Sequence, residues 1–342
     1  GFEVFLILLN ASEHSYKMNP NVQIRYINDG KRSVNMLNRT YKSFLSFRRL
    51  ASVISQERPQ FMISFTTSAN MWTAIMGNLF GIPYVVSERS NPRRTIGVLN
   101  GVMQRFLSIL YRRANAVVVP SRGIAEELKG MPFFKPLDNF EVITNPVSEF
   151  KTFSERPVHH RKFILSVGRL HPVKGYDKLI EAYKKSGITD TDLLIVGEGS
   201  ERKKLEKLIG DLGLSENVFL VGSKDNVQDY YRQGELYVLS SQYEGYPNVL
   251  IEAMSLGCPV ISVDCDFGPR EIIAHGDTGL LVPKANSTVL AESMKQLLND
   301  EPLRKRMATK ALAVAKLNSI DSTIAKWDAL ISDASPAASA VA

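Results

Sequence analysis

The sequence predicts an α/β protein made of two doubly wound domains. Three observations carry that expectation. Apolar runs of strand length alternate with segments of helical period along nearly the whole chain. The runs are continuous rather than alternating apolar and polar, as strands covered on both faces of a parallel sheet must be. The alternation stops once, at a polar stretch near residue 150, and then restarts, while 342 residues exceed one domain of about 100–200.

The first domain is expected over residues 1–147. It opens on the apolar run 4–9, with further strands at 22–27, 61–65, 84–87, 116–119 and 140–143 and helices near 37–55, 69–79, 102–111 and 123–128. Residues 148–161 are polar and contain Pro157, His159 and His160, the composition of an interdomain linker. The second domain, 162–317, predicts strands at 163–167, 193–196, 218–221, 236–239, 260–263 and 279–282. Helices are expected at 176–185, 201–212, 227–232, 249–256, 289–298 and 303–317. Residues 318–334 carry an amphipathic helix over 322–331, expected to pack back on the first domain, and the small-residue tail 335–342 is expected to be disordered. In such folds the ligand lies in the crevice outside the carboxyl ends of the strands.

Composition excludes several classes. The longest apolar run falls far short of the ~20 residues that cross a bilayer. Two cysteines, Cys258 and Cys265, rule out a disulfide framework, a CxxC redox pair and a four-cysteine zinc site, and fit a reducing, cytoplasmic compartment. The net charge of +7 sits wholly in the first half, where 18 Lys and Arg stand against 10 Asp and Glu through residue 150. Either that basic half is a solvated face, or it meets an anionic partner such as a phosphorylated substrate or lipid headgroups. No nucleic-acid motif is present, and no nucleic-acid partner is expected.

The strongest constellation is Ser241-Gln242-Tyr243-Glu244-Gly245-Tyr246-Pro247-Asn248-Val249-Leu250-Ile251-Glu252. A strand ends, a glycine loop follows, and a helix starts near Pro247, leaving the N–H groups of Asn248, Val249 and Leu250 free to meet an anion. Glu252, one and a half turns on, is placed to accept from ribose hydroxyls while phosphates sit at the helix start. Glu244, in the loop, faces whatever extends beyond the phosphates. Taken singly, either glutamate also reads as a surface carboxylate near a helix N-terminus. A second constellation, Val167-Gly168-Arg169-Leu170-His171-Pro172-Val173-Lys174-Gly175, follows another strand. Arg169 offers a planar fork of donors and Lys174 a point charge, suited to a diphosphate leaving group; His171 reads as a spacer. A third strand end, Gly222-Ser223, offers backbone to a base. Asp190-Thr191-Asp192 and Asp264-Cys265-Asp266 both spell DxD, but the first precedes its strand and no metal is expected at either.

Together, at these spacings, the three pieces resemble the nucleotide-sugar half of the family 4 glycosyltransferases, retaining enzymes of the GT-B fold. The likeness includes Val196-Gly197-Glu198-Gly199, Phe267-Gly268-Pro269-Arg270-Glu271 and Gly279-Leu280-Leu281-Val282. The first half, through Ser87-Glu88-Arg89-Ser90-Asn91-Pro92, looks more loosely like members that extend lipid-linked or capsular oligosaccharides. Such enzymes usually place a strand, a Gly-rich turn and a helix ahead of the segment that residues 1–9 resemble. The first domain is therefore expected to lack its first βα unit, which puts the activity of the chain in doubt.

The resemblance implies roles. Glu244, Arg169 and Lys174 would act at the reacting centre. Glu252, Gly245, Tyr246, Pro247, Asn248, Val249, Gly168, Gly222 and Ser223 would bind the donor, and Glu88 and Arg89 would face the acceptor. The implied activity is retaining transfer of a hexose or N-acetylhexosamine from a nucleoside diphosphate sugar, UDP first, to a glycan or lipid-diphosphate-linked acceptor, without metal or other cofactor. The basic first half would dock on an anionic membrane face, making the protein cytoplasmic and peripheral on the inner face of the plasma membrane. A nucleotide-sugar epimerase of the same architecture and a non-catalytic nucleotide-sugar binder are the alternatives.

Overall fold

The computed structural model describes residues 3–10, 19–28, 36–147, 149–284 and 286–334; the expected tail 335–342 lies outside them. The first half runs β1 (Phe5–Leu8), β2 (Gln23–Tyr26), α1 (Met36–Glu57), β3 (Met62–Phe65), α2 (Thr67–Phe80), β4 (Tyr84–Ser87), α3 (Pro92–Thr95), α4 (Gly101–Arg112), β5 (Ala116–Val119), α5 (Arg122–Gly130) and β6 (Phe140–Val142). Strands β3-β4-β5-β6 form a parallel sheet in that order, and β1 pairs with β2 as a separate parallel ribbon. The ribbon packs Ile27 with Leu50 and Ile54 of α1 and Met76 of α2, and Arg49 donates to the Ile27 carbonyl at 3.0 Å. Val85, Val86, Val117 and Val118 are fully buried, so the continuous apolar runs do mark strands covered on both faces. Each such valine contributes at most about 1.5–3 kcal/mol.

The second half runs β7 (Phe163–Val167), a 3-10 turn (Pro172–Lys174), α6 (Tyr176–Ser186), β8 (Asp192–Val196), α7 (Arg202–Asp211), β9 (Val218–Gly222), α8 (Val227–Gln233), β10 (Leu236–Leu239), α9 (Asn248–Ser255), β11 (Val260–Asp264), α10 (Pro269–Ile272), β12 (Leu280–Pro283), α11 (Ser287–Asn299), α12 (Glu301–Leu317) and α13 (Ile320–Ala334). Its six strands are all parallel, in the order β12-β11-β10-β7-β8-β9. The chain winds outward from β7 to β9, then returns to β10 on the other side of β7. That reversal opens a crevice above the carboxyl ends of β7 and β10.

The segment between the domains is pinned to the second. Ser154 N–H donates to Asp229 at 2.8 Å, Val158 N–H to Gln233 at 2.9 Å, and the Gln233 amide returns a bond to Arg156 O at 3.1 Å. Helix α13 crosses back: Trp327 meets the Phe65 ring edge-on at 5.8 Å, and Trp327 and Leu330 cover Val85, Val118 and Ile143. Helices α3 and α10 are additions to the expected elements. Four residues, each opened by a proline, are too short to leave a helical period.

Candidate active site

Two loops at the crossover are locked together by their backbones. Gly175 (φ +63°) has no side chain because a Cβ there would lie 2.4 Å from Ser240 O at the end of β10. Ser240 Oγ donates to Lys174 O at 2.8 Å, and Gln242 N–H to Val173 O at 2.8 Å. His171 caps the 3-10 turn, its Nδ1 accepting from Val173 N–H at 3.3 Å, so it is a structural spacer. These contacts set the Lys174 ammonium 2.7 Å from Glu244 Oε1, which also accepts from Ser241 Oγ at 2.6 Å. The two side chains are 17% and 14% exposed, so water screens the pair weakly. Beneath them, burial and then the Glu244 charge push the Tyr176 phenol well above its usual pKa.

Pro247 (φ −76°, ψ 99°) caps α9 without a side-chain bond. Leu250 N–H turns back to Pro247 O at 3.1 Å, so one of the three expected anion donors is spent internally. Asn248 and Val249 keep theirs: neither N–H has a backbone or side-chain acceptor among the described residues. Glu252 lies further along α9, half-buried, and accepts from Tyr231 OH at 3.2 Å. Gly245 and Gly268 keep the loop thin; a Cβ on Gly268 would strike Pro247 Cδ at 2.7 Å.

The remaining expected residues are spread around this centre. Arg169 follows β7, exposed and with no ion pair among the described residues. Gly222 (φ +78°) accepts from Gly197 N–H at 2.9 Å, and Ser223 beside it is exposed. Arg89 reaches the site and Glu88 does not. Glu88 is fully buried, its carboxylate accepting from Thr67 Oγ1 at 2.8 Å, from Asn70 Nδ2 at 3.0 Å and from Tyr111 OH. The expectation that it faces the cleft is corrected: at a strand end the side chain turned inward, into a polar network. Arg89 donates to Ile143 O (2.9 Å) and Asn145 Oδ1 (3.0 Å), and its guanidinium lies over the Phe65 and Trp327 rings. Burial draws its pKa down to about 10.

The two domains touch at several points around the loop. Asn145 donates to Asn248 Oδ1 at 2.8 Å and Ser121 Oγ to Gly245 O at 3.3 Å, while Tyr246 OH bonds Asn318, just past α12 of its own half, at 2.7 Å. Arg94 stacks on Tyr243 at 3.7 Å and donates to its hydroxyl at 2.9 Å. Glu271 of α10 accepts from Arg122 N–H (2.8 Å) and Gly123 N–H (2.9 Å), the first turn of α5. Sequence reasoning passed over Asn145, Arg94 and Glu271 in this role. The Asn145-Pro146 step after a strand was the one available signal.

Neither DxD offers a free pair of carboxylates. Asp264 is bonded twice by Arg270 at 3.0 Å, and Asp266 lies 3.4 Å from Lys284. Asp192 is fully buried, held by His159 (2.7 Å) and Arg161 (2.9 Å). With His160 these form the one His/Asp cluster of metal-ligand type among the described residues. Its carboxylate is already committed to the cation and the imidazole.

A six-stranded doubly wound sheet whose crossover holds a Lys–Glu pair and an open helix start, faced by a second α/β domain, is the architecture expected of a two-domain GT-B glycosyltransferase. Residues 147–314 match the family described as glycosyl transferases group 1, and residues 1–146 match the glycosyl transferase 4-like domain. The chain belongs to these glycosyltransferases and is a transferase enzyme of that group. It is 31% identical over 330 residues to the N-acetylgalactosamine-N,N'-diacetylbacillosaminyl-diphospho-undecaprenol 4-alpha-N-acetylgalactosaminyltransferase of Campylobacter jejuni, spanning 92% of this chain and 87% of that one. It is 29% identical over 207 residues to the lipopolysaccharide core biosynthesis glycosyltransferase LpsE of Rhizobium meliloti, 58% of each. Among solved structures, sucrose-phosphate synthase of Thermosynechococcus elongatus shares the fold at TM-score 0.81, with 18% identity, over 97% of this chain and 89% of that one. Anabaena HepE in complex with UDP does so at 0.77 and 18%, over 92% and 87%. The GT-B fold expected from the motifs is the fold observed.

Proposed function

We propose that the enzyme transfers a hexose or N-acetylhexosamine, with retention, from a UDP-sugar to a glycan or lipid-diphosphate-linked glycan presented at an anionic membrane face. One observation carries this reading: Lys174 and Glu244 meet at 2.7 Å beside the unspent N–H groups of Asn248 and Val249, at the crossover of the sheet. The amides of Asn248 and Val249 hold a phosphate, and Lys174 with Arg169 neutralises the diphosphate as it departs. Glu252 accepts from the ribose, Gly222 and Ser223 border the base, and Glu244, released from Lys174 when phosphate takes the ammonium, accepts from sugar hydroxyls. The bond from the anomeric carbon to the β-phosphate oxygen breaks as the bond to the acceptor oxygen forms on the same face. The acceptor's proton passes to a phosphate oxygen. The charge stabilisation comes from side chains and amides, and the scheme uses no metal.

Two related proteins support the choice of ligands. HepE is described in complex with UDP, and the Campylobacter relative is named for an alpha linkage and a diphospho-undecaprenol acceptor. The test is transfer and donor hydrolysis by Glu252→Ala, Arg169→Ala and Lys174→Ala. Rates should fall by about 10²–10³-fold, as removal of a charge-stabilising group does. Wild-type rates in the Glu252 and Arg169 variants would overturn the assignment. NMR of the product's anomeric configuration decides retention, and thermal stabilisation by a panel of UDP- and GDP-sugars decides the nucleotide.

A further inference from the structure

Helix α4 presents to solvent what a surface helix normally hides. Its inward face, Leu107, Leu110 and Tyr111, is buried in the first domain's core. Its outward face still carries Val102 (82% exposed), Phe106 (42%) and Ile109 (44%), a helical stripe continued by Val98 (74%) in the preceding turn. The stripe is therefore not needed for folding. Arg105 and Arg112 flank it, exposed and without an ion pair among the described residues. From Glu88 to Glu126 the chain holds seven arginines and not one Asp or Glu between them.

The stripe also begins at the crevice. Arg94, four residues before Val98, is the residue stacked on Tyr243 of the donor loop. We infer that the outward face of α4 is a membrane-docking surface: Val98, Val102, Phe106 and Ile109 enter the headgroup boundary while Arg105 and Arg112 meet anionic phosphates. This deepens the proposed function, and rests on it only for the acceptor's being lipid-linked. The charge pattern favours lipid over the other occupants. A second copy on a two-fold axis would bring the arginines against their own kind. An apolar protein groove would leave unmatched a segment this long without a single acid.

The test uses the whole chain and sedimentation with vesicles of phosphatidylcholine alone or mixed with phosphatidylglycerol. The protein should bind the mixed vesicles, bind neutral ones at least tenfold more weakly, and lose binding as salt rises. Val102→Asp with Phe106→Asp should reduce binding by tenfold or more. Arg105→Glu with Arg112→Glu should do the same and flatten the salt dependence. Leu312→Asp, on helix α12 of the second half, should bind as wild type, and Tm and UDP-induced stabilisation should be unchanged in all variants. No binding to mixed vesicles would overturn the surface, and binding unaffected by the two aspartates would overturn apolar entry. A concentration-dependent dimer dissociated by the two aspartates, without vesicle binding, would assign the stripe to a second copy instead. Donor hydrolysis, which needs no vesicle, reports the proposed function separately.

Discussion

Glu88 carries a buried carboxyl group without an ion pair among the described residues, held by Thr67, Asn70 and Tyr111. Burial raises its pKa above the usual 4.5, outweighing the hydrogen bonds that lower it. A carboxyl raised in the folded state binds its proton more tightly there than in the unfolded chain. Its contribution is fully present below the unfolded pKa and is lost as pH rises through the folded one. Wild-type stability should therefore fall, relative to Glu88→Gln, across the range above about pH 4.5; equal slopes in urea denaturation at stepped pH would refute the burial account. Cys258 and Cys265 behave alike for the same cause: both are buried, and burial pushes the Cys265 thiol up to about 12. Neither should react with a thiol reagent until the chain is unfolded. The sequence placed Glu88 correctly at a strand end but not in the interior, because its partners Asn70 and Tyr111 lie 18 and 23 residues away. Lys174 and Glu244, by contrast, were legible. Each follows its own strand within a few residues, and strand ends at a crossover converge.

At the scale of elements, the site depends on the contact between the 3-10 turn after β7 and the loop after β10. Gly175 sits at their closest approach with φ +63°. Gly175→Ala adds a methyl against a carbonyl oxygen that cannot swing away and a backbone conformation that L-residues resist. A loss of about 2–4 kcal/mol in stability is expected. Because the same turn carries Lys174, UDP-induced thermal stabilisation should shrink with it. A variant as stable as wild type that still responds fully to UDP would show the loops to be independent. Glycines with this geometry are readable in advance, since Gly-Arg…Lys-Gly after an apolar run is a local pattern. Helices α3 and α10 are not, since four residues carry no period, and the anion donors of α9 were overcounted by one because Leu250 closes a tight first turn.

At the scale of the molecule, the facing domains meet through Phe267, packed against the first domain's core, and through a set of polar contacts around it. Glu271 caps the first turn of α5 across the gap, Arg94 lies on Tyr243, and Asn145 reaches Asn248 at the start of α9. None of these pairs is near in sequence, so two facing domains could be foreseen while the clasps could not. A carboxylate on two backbone amides at a helix start contributes about 1–3 kcal/mol. Its weight is enough to shift a two-state opening of comparable energy. Glu271→Ala with Arg94→Ala should therefore enlarge the radius of gyration in solution scattering and leave UDP affinity nearly intact, because the proposed donor groups belong to the second domain. The transfer rate should fall, because Arg89 and Asn145 no longer meet the donor loop. Closure driven by donor alone would make scattering curves of wild type and variant coincide once UDP-sugar is added, with the rate restored. An unchanged radius without ligand would show that the remaining contacts, Asn145 on Asn248, Ser121 on Gly245, Phe267 on the first domain's core and Trp327 on Phe65, hold the domains by themselves.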